Sequence, residues 1–508
     1  MAAVRPAHDE AADATLRKGS IGVVGIVFFV VAAAAPLVGM TGALPVAVVL
    51  GNAAAAPGAY LATGLVLLIF SVGYAAMSHR VTNTGAFFAY VGRGLGIGPG
   101  VGSAFVSLLA YLSIQLAIFG FFGAIVAGQL AAEVGIDLPW WAWVLLAWVV
   151  VLVLSLLSVD IGAKLLGVLM TLELASLLVT ATAVLLRGGG PDGLDLAASF
   201  SPANIFVGGF AGSAGIALAF AFASFIGFEA TAIYGEESTD PKRNVPRATY
   251  LAVGIITALF AFTSWAMVSG LGSRAVVERM AEVSTVDGVP LTDPAAVLFT
   301  VAEQYVGPWM PTVMSWLVIS SLFAGLLAFQ NSTARYFFAM ERAGVLPGAL
   351  GQVNGRGAPG MASLTTSVLT LAVIVVFAAR GLDPVLNLFF WFSGLAVIAI
   401  VLVEILVSIA VVAFFRRERV DARVWNTTIA TVLAVLGLAC GLYLLMSRFG
   451  LLAGTAAEGV DPTTTAWSLS ITGWVLVSLP FVLFVVGTVV GNARRRRENA
   501  DAVADLVS

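Results

Sequence analysis

FAFASFIGFEATAIYGEESTDPKRNVPRATY, residues 220–250, is the stretch on which the reading of this chain turns. An apolar run reaches Ser224-Phe225-Ile226-Gly227-Phe228, and Glu229 follows while the surroundings are still apolar. The chain then leaves through Glu236, Glu237 and a loop rich in proline, lysine and arginine. A glycine and a carboxylate inside an apolar span are both costly and ask for a reason. Glycine lets a helix unwind, and an unwound turn frees backbone groups that can hold a ligand. A packing glycine beside a polar residue at the lip of a cavity is the plainer alternative.

Working outward, the composition settles the class. Of 508 residues, 60% are hydrophobic and only 10% charged, with a mean hydropathy of +1.01. Soluble proteins average roughly 25% charged residues, so this is an integral membrane protein. The net charge of -3 gives no basic surplus for a nucleic-acid partner. One cysteine, Cys440, and two well-separated histidines, His8 and His79, offer neither a disulfide framework, a metal cluster nor a catalytic dyad. The polar first twenty residues lack the apolar core of a cleaved signal peptide.

About 20 apolar residues cross a bilayer as a helix. On that measure twelve spans are predicted, near 21–48, 58–77, 101–132, 140–158, 161–187, 207–235, 247–272, 309–340, 361–379, 384–415, 426–447 and 467–490. An amphipathic charged insert, 273–308, separates the seventh and eighth. With the N-terminus in the cytoplasm, only Arg187, Arg274, Arg279, Arg380 and Arg448 of the 25 lysines and arginines fall outside, so both tails (1–20 and 491–508) are expected on the cytoplasmic side of a cell membrane. Arg494 to Arg497 read as a lipid-headgroup anchor. Span 1 is interrupted at Ala35-Pro36-Leu37-Val38-Gly39-Met40-Thr41-Gly42 and span 6 around Gly227, five spans later. Interruptions at matching places point to two inverted five-helix halves, 21–187 and 207–415, with the helices in 426–490 outside the repeat.

Pro36 lacks an N–H and clashes with the preceding turn, so span 1 breaks there. The second half of the span, expected to begin near Val38 to Thr41, would turn free N–H groups and the positive end of its dipole toward mid-membrane, which suits a carboxylate. The first halves of spans 1 and 6 end there in free carbonyls, which suit an ammonium. Both features together fit the backbone end of a free amino acid. The candidate substrate site is Ala35, Pro36, Val38, Gly39 and Met40 on span 1, with Phe222, Ala223, Ser224, Phe225, Gly227 and Glu229 on span 6. Tyr111 and Gln115, one turn apart on span 3, are candidates to line the same cavity, with packing as the plainer role. Glu173, Glu229 and Glu404 are carboxylates inside apolar spans and therefore functional candidates. Lys164 and Arg342, near cytoplasmic span ends, are candidate anchors or partners of Glu236, Glu237 or Asp240.

Gly227, Phe228, Glu229, Glu236, Glu237, Asp240, Pro241, Arg243, Val245, Pro246 and Ala248 carry a pattern that resembles the sixth helix and following loop of the amino acid–polyamine–organocation transporter superfamily. LRKGSIGVVGIVFF (16–29), TGAFFAYVGRGLG (84–96) and QNSTARYFFAMERAGVLPGALGQVNGRGAP (330–359) are similar to that family's segments too, so the resemblance covers most of 15–445. It implies an all-α, leucine-transporter-like fold of ten helices in two inverted repeats plus two. By the same resemblance, the breaks are Ala35 to Gly39 and Ser224 to Glu229. Three departures stand out. Pro36-Leu37-Val38-Gly39 replaces a frequent G-x-G. Ala223, flanked by Phe222 and Phe225, stands where many relatives carry an aromatic gate. Glu173 stands where some proton-coupled relatives have a lysine.

The expected function is a secondary permease moving an amino acid, by proton-coupled symport with Glu173 and Glu229 as coupling groups. A polyamine or other amine carrier or exchanger, and a Na⁺-coupled symporter using Ser320 and Ser321, remain open. A glutamate in a dry surrounding is uncharged when protonated and anionic when not, which suits it to carry a proton. No cofactor is expected. The chain has no GxxxxGK[ST] loop for ATP, no repeated channel filter and no nucleophile–base pair.

Overall fold

A computed structural model describes residues 22–81, 86–157, 163–209, 212–229, 231, 238–342, 344–418 and 423–495. Among these the regular structure is helical, with no strand beyond two isolated bridges. The elements in order are α1 (Val23–Ala34), α2 (36–52), α3 (Ala56–Ser78), α4 (Ala86–Leu95), α5 (Ile97–Val134), α6 (Trp140–Leu157), α7 (Ala163–Leu186) and α8 (Ala214–Phe225). Then come α9 (Pro241–Leu271), α10 (Trp309–Arg342), α11 (Gly360–Ala379), α12 (Pro384–Glu418), α13 (Trp425–Ser447) and α14 (Ile471–Arg495).

Ten stretches among the described residues are long and apolar enough to cross a membrane. The first, Val23–Ser78, runs for 56 residues and holds α1, α2 and α3, while α8 is only 12 residues long. In the expected sixth span, the main helix therefore begins at Ala214 rather than near 207. Residues 206–209 and 212–213 form turns and bends ahead of it, and Ser213 stands at its N-cap position. Helix α4, in the segment TGAFFAYVGRGLG outside every expected span, forms despite the segment's four glycines because buried Phe87, Phe88 and Tyr90 give it a face to pack. The insert 273–308 folds into two short helices, Val276–Val283 and Ala295–Tyr305.

The first break is tighter than expected. A single residue, Ala35, takes a left-handed conformation (φ 43°, ψ 68°), and helix resumes at once with Pro36 in the first position. Proline fits there because its missing N–H would be unpaired in any case. The second half thus starts at Pro36 rather than near Val38 to Thr41, and 39–43 is wound as a π-helix. The second break is Ile226–Glu229: α8 keeps Ser224 and Phe225 within its last turn, and Gly227 takes φ 113°, a conformation that side chains other than glycine rarely adopt.

Packing then sets the layers. Helix α5 lies against α4, α10, α12 and α14, and α3 against α9 and α13. Close approach is bought by small residues: a Cβ on Gly64 would stand 2.1 Å from the Thr257 hydroxyl, and one on Gly94 would stand 2.3 Å from the Ala410 carbonyl. Outward residues such as Val485, Leu436 and Val375 stay exposed and apolar, the surface that a bilayer solvates.

Candidate functional site

The two breaks meet. A Cβ on Gly39 would lie 2.7 Å from Cε1 of Phe260 on α9 and 3.3 Å from Oγ of Ser224 on α8. A Cβ on Gly227 would lie 2.9 Å from that of Ala33 on α1. Glycine at both places lets α2 and the second break approach the opposite helix directly. Helix α7, which carries Glu173, packs against the first turn of α2, and so does α10.

Glu229 is fully buried and holds the second break together. Its Oε2 accepts from the Gly227 N–H at 2.8 Å, and its Oε1 accepts from the Tyr111 hydroxyl at 2.9 Å. Its backbone carbonyl accepts from the Tyr74 hydroxyl at 2.9 Å. The carboxyl therefore ties the unwound turn to α5, and the carbonyl ties it to α3. Both carboxyl oxygens are engaged by the protein itself. Around this knot, rings pack edge to face: Phe228 with Phe70 at 6.0 Å and Tyr111 with Tyr336 at 5.2 Å. Edge-to-face pairs place the positive rim of one ring on the negative face of the other.

At the first break Ala35 donates to the Ala32 carbonyl and accepts from the Gly39 N–H, each at 3.1 Å. The Leu37 and Val38 N–H groups lie in the first turn of α2, where no intrahelical acceptor exists. At the second break some of the carbonyls expected to be free are taken. Ala223 and Phe225 accept from Ile226 and Phe228 at 3.2 Å, and Phe220 accepts from the Ser224 hydroxyl at 2.8 Å.

Not every candidate turns toward this point. Phe222 packs on α13, where a Cβ on Gly441 would meet its ring at 2.9 Å. Phe225 is edge-on to Phe260 at 5.8 Å, and Met40 is completely buried. The Gln115 amide donates to Gln330 on α10 at 2.9 Å, and the Gln330 amide donates on to the Ser363 carbonyl and the Ser367 hydroxyl of α11. Gln115 thus joins a network among α5, α10 and α11, while Tyr111 reaches Glu229. Glu173 is buried with its carboxyl beside the Ser321 hydroxyl of α10, whereas the Ser320 hydroxyl turns back to its own Leu317 carbonyl at 2.8 Å. Asp240 pairs with Arg243 at 3.7 Å on an exposed turn, and Arg342 lies over the Phe338 ring. Glu236, Glu237 and the Lys164 side chain lie outside the described residues.

Three residues here escaped the sequence reading. Tyr60 and Tyr74 share one face of α3, and a tyrosine hydroxyl in an apolar helix signals a buried partner. Tyr74 has one in Glu229; the Tyr60 hydroxyl is buried without one, its ring 5.4 Å from Phe260. Phe260 itself gave no signal, since an aromatic in an apolar span is ordinary. Among the described residues no group of His, Cys, Asp and Glu could hold a metal ion.

Long apolar helices, two of them interrupted and crossing at their interruptions, define a polytopic membrane protein of the broken-helix transporter class. The amino acid permease family model matches residues 25–499, and the chain belongs to that family, whose fold is leucine-transporter-like. A 167-residue stretch is 29% identical to the human large neutral amino acids transporter small subunit 2, covering 32% of this chain and 28% of that one. An uncharacterised transporter of Mycobacterium tuberculosis is 31% identical over 210 residues, 41% of this chain and 43% of the relative. One from Legionella pneumophila is 29% identical over 152 residues, 30% of each chain. The matched stretches thus span less than half of these relatives' lengths.

Proposed function

We propose that this protein carries a neutral amino acid across the cell membrane, with the substrate held between the breaks at Ala35–Gly39 and Ser224–Glu229. The observation that carries the reading is the meeting of the two breaks, with Gly39 against Ser224 and Gly227 against Ala33. The first turn of α2 offers N–H groups and a positive dipole end to a substrate carboxylate. The last turn of α1 offers carbonyls to its ammonium. Glu229 serves by shaping the unwound turn, since both its oxygens are already engaged. That favours an amino acid over a polyamine, which has no carboxylate and needs several free acidic groups. The name of the human relative supports large neutral side chains, and Ala223 in place of an aromatic gate leaves room for them.

Transport is proton-coupled through Glu173. What supports this is its buried carboxyl, beside Ser321 and on a helix packed against the first turn of α2, through which its protonation would bear on the position of α2. Both termini face the cytoplasm, as the distribution of lysine and arginine favours. The 21–187 and 207–415 halves form the repeat, and α13 and α14 stand outside it. Uptake of radiolabelled amino acids into proteoliposomes, with competing amino acids and amines, tests the substrate class. In the same assay Glu173→Gln should retain exchange but lose the response to a proton gradient. Uptake that requires a Na⁺ gradient and ignores a proton gradient would replace proton coupling with Na⁺, with Glu173 and Ser321 as oxygen ligands.

A further inference from the structure

Glu404, in the middle of α12, is used by nothing described so far. It is 2% exposed, and its Oε2 has no hydrogen-bond partner. No lysine or arginine pairs with it among the described residues. On the helices packed against α12, the titratable side chains away from the helix ends are Tyr60 and Tyr74 (α3), Tyr90 (α4), Tyr111 (α5), and Cys440 and Tyr443 (α13), with none on α8 or α14 among the described residues; Arg93 stands in the last turn of α4. A buried carboxylate anion with an unpaired oxygen is unfavourable, whereas the neutral acid is far less so. A carboxyl whose only role was packing would be expected to have both oxygens satisfied, as Glu229 does.

We propose that Glu404 is a second proton-carrying group of this protein. The proton enters from water on one side of the membrane, forms the O–H bond of the Glu404 acid, and returns to water on the other side when that bond breaks. This rests on the reading of the protein as a proton-coupled carrier and adds a second site to it, on α12. Because α12 packs against both α4 and α5, the charge state of Glu404 bears on how those helices sit against it.

Infrared difference spectra of the purified protein over a pH series read protonated carboxyl groups directly and need no substrate. The expected result is a carboxylic C=O band that titrates in the wild type and is lost in Glu404→Gln. Glu404→Asp, which keeps the acid, covers the case in which the Gln variant does not fold; it should displace the band rather than remove it. A Glu404 band that does not titrate, or spectra that neither Glu404 variant alters, would overturn the proposal. Amino acid uptake by the same preparation separates the two readings. Wild-type uptake that ignores a proton gradient counts against proton-coupled transport and leaves the band result standing. Proton-dependent uptake with a non-titrating band sinks the Glu404 proposal alone.

Discussion

At the scale of single residues, Gly39 and Gly227 are held to glycine for different reasons. At Gly39 the obstacle is space: even an alanine Cβ would stand 2.7 Å from the Phe260 ring, and overpacking of this kind costs about 1–3 kcal/mol. At Gly227 the obstacle is the backbone, since φ 113° is strained for any side chain. Gly39→Leu and Gly227→Leu are expected to abolish substrate binding while the protein still reaches the membrane, as read by scintillation proximity binding beside surface expression. Near-normal binding in both variants would place the substrate elsewhere. Glu229 makes the same contrast in a polar group. Its place in an apolar run marked it in the sequence, but its partners, the Gly227 N–H and the Tyr111 hydroxyl, come from two residues back and from 118 residues away.

At the scale of elements, α8 is short and depends on its neighbours. A Cβ on Gly215 would stand 2.1 Å from the Leu444 carbonyl of α13, and one on Gly51 would stand 2.9 Å from Ala217. The Ser213 hydroxyl donates to the Gly51 carbonyl at 2.6 Å, tying the start of α8 to the end of α2. Arg448, just past α13 and 4% exposed, completes the clamp: it donates to the carbonyls of Gly212, Pro462 and Thr463 at 3.1–3.2 Å. Hydrogen bonds from a buried cation are among the stronger ones, and losing the set should cost on the order of 3 kcal/mol. Arg448→Ala should therefore lower the melting temperature in detergent, and Arg448→Lys, which keeps the charge but not the forked geometry, should recover part of the loss. An unchanged melting temperature in Arg448→Ala would show the clamp to be dispensable.

At the scale of the whole molecule, the threading of the helices through the bilayer is read by site-directed labelling. Cys440 is the only cysteine, so Cys440→Ser provides a clean background for placing others. Single cysteines at Asp192 and Glu458 should be labelled by an impermeant reagent from outside intact cells, and one at Asp240 should not. Arg419, the companion probe for the inside, lies outside the described residues. Labelling at Asp240 in intact cells would invert the threading.

Much of this was legible in the chain itself. Long apolar runs with few charges dictate helices in a bilayer, because only a helix pairs its own backbone groups there. Pro36 and Gly227 located both interruptions to within a few residues, since each acts locally, one by removing a donor and the other by permitting positive φ. Tertiary structure alone decided which candidates face one another. The 3.6-residue period says which side chains share a helix face but not which helix lies opposite. Hence Phe222 turns to α13, Gln115 to α10, and Tyr74, Tyr60 and Phe260 gather at the breaks unforeseen. The apolar character of α12 was plain from sequence, but the unpaired oxygen of Glu404 became visible only once its neighbours were in place. Whether a buried acid is satisfied depends on groups brought within about 3 Å by packing, and most of those are remote in the chain.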